Sequence, residues 1–223
     1  MQARYERNIP ALSEQECRLL REKKVLVAGC GGLGGHIIEL LARIGVGSII
    51  CVDGDTFDES NLNRQLLSEM DLLGKAKAEA AAERIRRINP DVRFQAEQTW
   101  ITEENVHAFI SGCDAVLDAL DSIPARKMLA RACARANIPF IHGAIRGWVA
   151  QAAISMPGDG LMEILYPETA AANDKSVLSF TPALCASMQA ALCVKLLCGR
   201  PVESGKLYYF DLQDMDFEAI DLA

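Results

Sequence analysis

The residues most suited to chemistry lie in one short loop. Gly29-Cys30-Gly31-Gly32-Leu33-Gly34 sets glycines at the first, third and sixth positions of a GxGxxG pattern, directly after the apolar run Lys24-Val25-Leu26-Val27-Ala28. A loop of this kind at a helix start offers free backbone N–H groups and the positive end of the helix dipole, which together favour phosphate. Asp53 closes the next apolar run nineteen positions past Gly34, close to the roughly 20 expected for an acid that holds a ribose hydroxyl. The pattern predicts nucleotide binding. The alternative, that these glycines only let a helix pack closely on a strand, fits less well with a loop that follows a strand and opens a helix. The motif does not separate NAD from ATP, so an NAD(P)-dependent oxidoreductase stays open, supported by the loop and Asp53 alone. Of the histidines, His36 falls in the first helix and His107 marks nothing, while His142, beside Gly143 at a predicted strand end, reads as a satisfied structural histidine.

The elements that must position these residues follow from periodicity. Leu33, Ile37, Leu41 and Ile44 share one helical face that Gly45 and Gly47 end, and residues 49–52 form a second strand, completing a βαβ unit. Residues 75–88 are rich in good helix formers and are closed by Asn89-Pro90. Val92, Phe94 and Ala96 alternate as a strand, residues 115–117 form another, Pro124 opens a helix reaching Ala136, and Pro139-Phe140-Ile141 starts the next strand. The expected fold is a Rossmann-like doubly wound α/β sheet, mostly parallel. From Trp148 onward, residues 149–155, 161–165 and 207–212 read as strands with one long helix over 182–198, so the C-terminal third should be more antiparallel. Residues 170–176, small and polar, read as a mobile loop.

At 223 residues and 50% apolar, the chain suits a single domain. A formal charge of −7 without a Lys/Arg run argues against nucleic acid or an anionic membrane as the main partner. The polar first ten residues show no secretory signal, and Gln189 and Lys195 interrupt the longest apolar stretch, so a cytoplasmic protein with a packed core helix is expected. Eight scattered cysteines with no CxxC pair read as reduced and mostly buried, without a structural zinc.

Past Asp53 the chain continues as a polar stretch to Gln65 that a plain Rossmann half-domain does not need. With the glycine loop, the Ser60-Asn61-Leu62-Asn63-Arg64-Gln65 segment resembles the ThiF/HesA/MoeB family, bacterial relatives of ubiquitin-activating enzymes. Arg4-Tyr5-Glu6-Arg7, Gly74-Lys75-Ala76-Lys77 and the helix over 182–199 extend the resemblance across nearly the whole chain. It implies one adenylation domain over 1–223, with an N-terminal helical arm over 1–22, a nucleotide-binding half over 23–145 and a carrier-binding half over 146–223. The implied activity is ATP-dependent adenylylation of the Gly-Gly C-terminus of a small ubiquitin-like sulfur carrier, serving thiamine, molybdopterin or another sulfur-requiring pathway. Carboxylate attack on the α-phosphorus builds negative charge on phosphoryl oxygens, so such a site needs placed cations and Mg²⁺. By resemblance, Arg64 and Lys77 contact the triphosphate and Asn61 supports that region. Gly29, Gly31, Gly32 and Gly34 cradle the phosphates and Asp53 holds the ribose, with weaker claims for Asp55 and Gln65. Asp121 coordinates Mg²⁺, and Arg7 reaches the nucleotide of the other subunit in a homodimer.

The sequence departs from the family in three places. The two CxxC pairs that commonly hold zinc are missing, residues 170–181 carry no cysteine for a covalent bond to the carrier, and Asp121-Ser122 stands where relatives often have Asp-Asn. Cys185, inside an apolar helical face, reads as a core residue, and Cys30 as a small side chain facing the strand. Adenylylation looks intact and covalent sulfur handling does not. Two further readings remain: a tRNA-modifying dehydratase of the same superfamily, for which no basic face exists, and a non-catalytic carrier-binding scaffold, against which Arg64, Lys77 and Asp121 are all present.

Overall fold

The computed structural model describes residues 2–167 and 176–222; most of the loop expected over 170–176 lies outside them. After α1 (Glu14–Leu20), strand β1 (Lys24–Ala28) leads into α2 (Gly32–Ile44), β2 (Ser48–Val52), α3 (Lys77–Ile88) and β3 (Arg93–Glu97). Next come α4 (Val106–Ile110), β4 (Ala115–Asp118), α5 (Ile123–Arg135), β5 (Phe140–Arg146) and β6 (Val149–Ser155). The chain ends with α6 (Leu161–Leu165), α7 (Phe180–Leu197), β7 (Lys206–Asp211) and β8 (Asp216–Asp221). These strands form a single sheet in the order β3-β2-β1-β4-β5-β6-β7-β8. The first five are parallel, and β6, β7 and β8 add on antiparallel. The expected fold class is therefore present.

The central strands are apolar on both faces because helices cover both. Val25 and Val27 of β1 point into a core shared with α2, α3 and α7, whereas Leu26 and Ala28 point into a second core with α4 and α5. This two-sided burial explains why these strands read as continuous apolar runs. The long apolar helix α7 packs on α2, β5 and β6 with Cys185, Gln189 and Cys193 fully buried, as expected of a core helix. Gly45 ends α2 in the left-handed region at φ 103°, with Tyr5 packed against it.

Two expectations about the C-terminal third need correction. Residues 161–165 are a helix, not a strand: Gly160 starts α6 at φ 65°, and Leu161 and Met162 are buried while Ile164 is exposed, a helical pattern hidden by the segment's shortness. Strand β8 adds to the expected strands: this exposed edge strand carries Asp216, Glu218 and Asp221 and offers only Phe217, Ala219 and Ile220 as apolar residues, too few to announce a buried face.

Candidate active site

The parallel sheet changes direction of growth between β1 and β4, and the carboxyl ends of those two strands hold the glycine loop and the segment leading to Asp121. A crevice at such a point is where open α/β sheets bind ligands. Gly29 adopts φ 98° and donates its N–H to the Val52 carbonyl at 2.9 Å. A Cβ there would lie 2.7 Å from the Ala119 carbonyl oxygen, and one on Gly34 would collide with the Gly29 carbonyl. These two glycines are required by the protein itself. Gly31 and Gly32 are different, since a Cβ at either would meet only ordinary contacts, with Gln65 at 3.6 Å and with Pro182 at 3.6 Å. A methyl group would fit at both, so packing within the protein does not demand glycine there. Gly31 is the N-cap of α2 and has no side chain to satisfy the first-turn amides, which leaves them available to phosphate.

Asp53 ties this loop to the next one: its Oδ2 accepts the Cys30 N–H at 2.6 Å and its Oδ1 the Asp55 N–H at 2.8 Å. A carboxylate has about four acceptor sites, so lone pairs remain for two ribose hydroxyls. Beyond it, Lys77 enters at the start of α3 and is only 5% exposed, its Nζ 2.5 Å from Asp55 Oδ2. That hydrogen bond holds the Asp55 carboxyl below its ordinary range. Asp55 thus holds the lysine and shapes the turn, its backbone carbonyl also accepting the Lys77 N–H. Asn61 is buried and accepts the Asp58 N–H at 3.0 Å, which fixes the turn that aims the following residues. Arg64 donates to the Ser60 carbonyl and to Asn63 Oδ1, both at 2.8 Å, with its Cγ near Gly32. Gln65, buried against Gly31, has an Oε1 with no hydrogen-bond partner among the described residues, an orphaned polar atom at the edge of the loop.

Asp121 is exposed two residues beyond Ala119, and its carboxylate makes no hydrogen bond or ion pair among the described residues. The structure thus gathers Gly29, Gly31, Gly32, Gly34, Asp53, Asp55, Asn61, Arg64, Gln65 and Lys77 around one crevice, and Asp121 follows two residues after Ala119, which packs against Gly29 and Gly34. Arg7 is not among them. It lies in the N-terminal segment between Tyr5, which packs on Gly45, and Asn8, which donates to the Ile44 carbonyl, at the far end of a 13-residue helix about 20 Å long.

Sequence reasoning missed several residues here. Trp100 is 66% exposed, and its indole packs over Gly54, next to Asp53. Asp118, Arg126 and His142 are buried behind the crevice, with the half-buried Tyr166 against them. Asp118, an acid ending an apolar strand, was an available signal, and His142, read from the sequence as a satisfied structural histidine, has partners on both ring nitrogens. Neither noted cysteine is poised to react: Cys185 is fully buried, and desolvation pushes its thiol up to about 12. Cys30 faces Cys51, sulfur to sulfur at 2.8 Å, and burial raises its thiol well above the ordinary range. Among the described residues no three His, Cys, Asp or Glu side chains cluster as a metal site.

A doubly wound sheet with a glycine loop at a helix start, an acid ending the next strand and cations on the turn that follows is the arrangement by which α/β folds bind nucleotides. Comparison with known proteins makes this specific: the sequence matches the ThiF family over residues 5–223, and the chain belongs to that family. It is 36% identical over 215 residues to the SAMP-activating enzyme E1 of Haloferax volcanii, covering 93% of this chain and 79% of that protein. It is 32% identical to the adenylyltransferase and sulfurtransferase MOCS3 of Drosophila sechellia, covering 94% of this chain and 48% of that protein. The crystal structure of E. coli MccB with ATP superposes with a TM-score of 0.84 over 100% of this chain and 72% of that one, at 22% identity. The chain is an adenylyltransferase of the ubiquitin-activating-enzyme-like superfamily.

Proposed function

We propose that this enzyme uses ATP to adenylylate the C-terminal carboxylate of a small ubiquitin-like carrier ending in Gly-Gly. The carboxylate oxygen attacks the α-phosphorus, the bond from that phosphorus to the bridging oxygen breaks, and pyrophosphate leaves with the electron pair. The observation that carries this reading is a glycine loop with Lys77 and Arg64 on one side and, after the adjoining Ala119, an exposed Asp121 whose carboxylate has no hydrogen bond or ion pair among the described residues. Hydride transfer needs no such cations, whereas departing pyrophosphate does. The relatives' names support the class of reaction, and a SAMP-activating relative supports a protein substrate.

In this reading the α2 amides and Gln65 meet the phosphates, Asp53 holds the ribose, and the exposed face of Trp100 offers the base a stacking surface. Lys77 and Arg64 take up charge on the triphosphate, which requires Arg64 to leave Ser60 and Asn63. One exposed carboxylate beside a phosphate loop is a suitable donor set for Mg²⁺, which is held by one or two carboxylates plus substrate phosphates. Asp121 would hold it, and the bound ion would neutralise charge as pyrophosphate forms. Arg7 acts across a homodimer, since it lies at the far end of α2 from the crevice of its own chain. The carrier docks on the antiparallel extension, where Phe217 stacks on Tyr208 and packs tilted against Phe210, and Met215 is 80% exposed; its thin glycine tail reaches the crevice. With Cys185 buried, sulfur comes from a separate donor that attacks the adenylate, in the cytoplasm.

Pyrophosphate–ATP exchange with Mg²⁺ and a panel of Gly-Gly-ended carriers tests this. Carrier-dependent exchange that disappears in Asp121→Ala is expected. ATP binding without exchange for any carrier would favour a scaffold, and NADH binding without ATP binding would refute the assignment.

A further inference from the structure

Behind the crevice lies a set of buried polar groups that the proposed reaction does not use. Asp118, at the end of β4, and His142, on β5, are both fully buried, with His142 Nδ1 at 2.8 Å from Asp118 Oδ2. A carboxylate only accepts, so Nδ1 carries the proton and donates it, leaving Nε2 as an acceptor. The Tyr166 hydroxyl, 3.0 Å away, therefore donates to Nε2. Its oxygen in turn accepts from Arg126 Nη1 at 3.1 Å and from Gln151 Nε2 at 3.3 Å. Arg126 closes the circuit, with Nε 3.5 Å from Asp118 Oδ2.

What the circuit grips is a single residue. Asp118 Oδ1 accepts the Leu120 N–H at 3.0 Å, and Arg126 donates from Nε at 2.8 Å and from Nη2 to the Leu120 carbonyl. Gln189 Nε2 adds a donor to the Asp118 carbonyl at 2.8 Å. Both peptide planes flanking Leu120 are thus held, and the second of them carries the backbone nitrogen of Asp121. The Asp121 side chain itself makes no hydrogen bond or ion pair among the described residues, so its direction is set largely through its backbone. Burial lowers the basicity of His142, which keeps the ring neutral and the tautomer fixed. A buried polar network with every member satisfied rigidifies what it contacts.

We propose that His142, Tyr166 and Arg126 are positioning residues: through Asp118 and Leu120 they fix the backbone that aims the Asp121 carboxylate into the crevice. This rests on the reading of Asp121 as the Mg²⁺ ligand but not on the identity of any carrier. Tyr166→Phe deletes only the hydroxyl, and His142→Asn keeps a donor for Asp118 while losing the bond from Tyr166, so the two should behave alike. ATP affinity is measured by calorimetry with and without Mg²⁺ for wild type, both variants and Asp121→Ala. Expected is a metal-dependent gain in ATP affinity that falls about tenfold or more in both variants, toward that of Asp121→Ala, with metal-free affinity unchanged. A wild-type metal dependence in folded Tyr166→Phe would overturn the proposal. So would an equal loss of metal-free affinity, which marks a general structural role, or a wild-type enzyme whose ATP binding ignores Mg²⁺. Because no carrier is present, failure of the carrier reading leaves this result interpretable.

Discussion

Replacing Lys77 with methionine separates the structural and catalytic roles of a buried cation. Breaking a buried ion pair costs about 3–5 kcal/mol when the charge left behind stays buried. Here the partner left behind is Asp55, whose side chain is 52% exposed and retains the Thr56 N–H at 2.9 Å. Water solvates it, so the cost falls toward that of an exposed pair, about 0–1 kcal/mol. Methionine fills the aliphatic path of the lysine and removes a desolvated ammonium. The melting temperature should therefore fall by no more than about 4 °C for a domain of this size. Loss of a placed cation that stabilises charge developing in the transition state costs on the order of 10²–10³ in rate, about 3–4 kcal/mol. Lys77→Met should thus lose pyrophosphate exchange by that factor while melting near wild type. Exchange within tenfold of wild type would refute the catalytic reading, and a large loss of stability would show that the pair with Asp55 is what the lysine is for.

The glycines divide by the same logic. Gly29→Ala should lose about 1–3 kcal/mol from its positive φ alone, before the clash with Ala119, and melt several degrees lower; Gly32→Ala should melt like wild type yet bind ATP more weakly, and equal melting of the two would contradict the geometry. Trp100→Ala should raise the ATP dissociation constant about 5- to 100-fold, the range of one base–aromatic stack, and remove a fluorescence change on binding; unchanged affinity would take Trp100 out of the site. At acid pH, the Glu16 carboxyl is held down to about 2 by hydrogen bonds from Arg200 and the Ser13 backbone. Since this lies below its unfolded value, near 4.3, the pair stabilises the fold above that pH and stops doing so as pH falls toward about 2. Melting curves of wild type and Arg200→Met should be apart at neutral pH and converge near pH 2.

Local chemistry was legible along the chain. The strand, glycine loop and helix from Lys24 to Ile44, the acid at Asp53 and the helices with Pro124 and Pro182 in their first turns each announce themselves within a few residues, because backbone φ, capping and side-chain period are local properties. Even the departures from family pattern, such as the lack of a cysteine over 170–181, could be read directly. Residues 161–165 could not, since a five-residue run with four apolar residues satisfies either period and only the left-handed Gly160 and the docking of Leu161 choose the helix. Nor could the exposed strand β8, whose short alternation of acids with Phe217 and Ala219 fits a polar loop as well as an edge strand until its backbone pairs with β7. The site divides in the same way. Residue types named Asp53, Lys77 and Asp121, but only the strand order 3-2-1-4-5 brings the loop after β1 beside the loop after β4. Only packing reveals that Asp118, His142, Tyr166 and Arg126, spread over nearly fifty residues, converge on Leu120, because a buried hydrogen bond depends on distances that sequence separation does not encode.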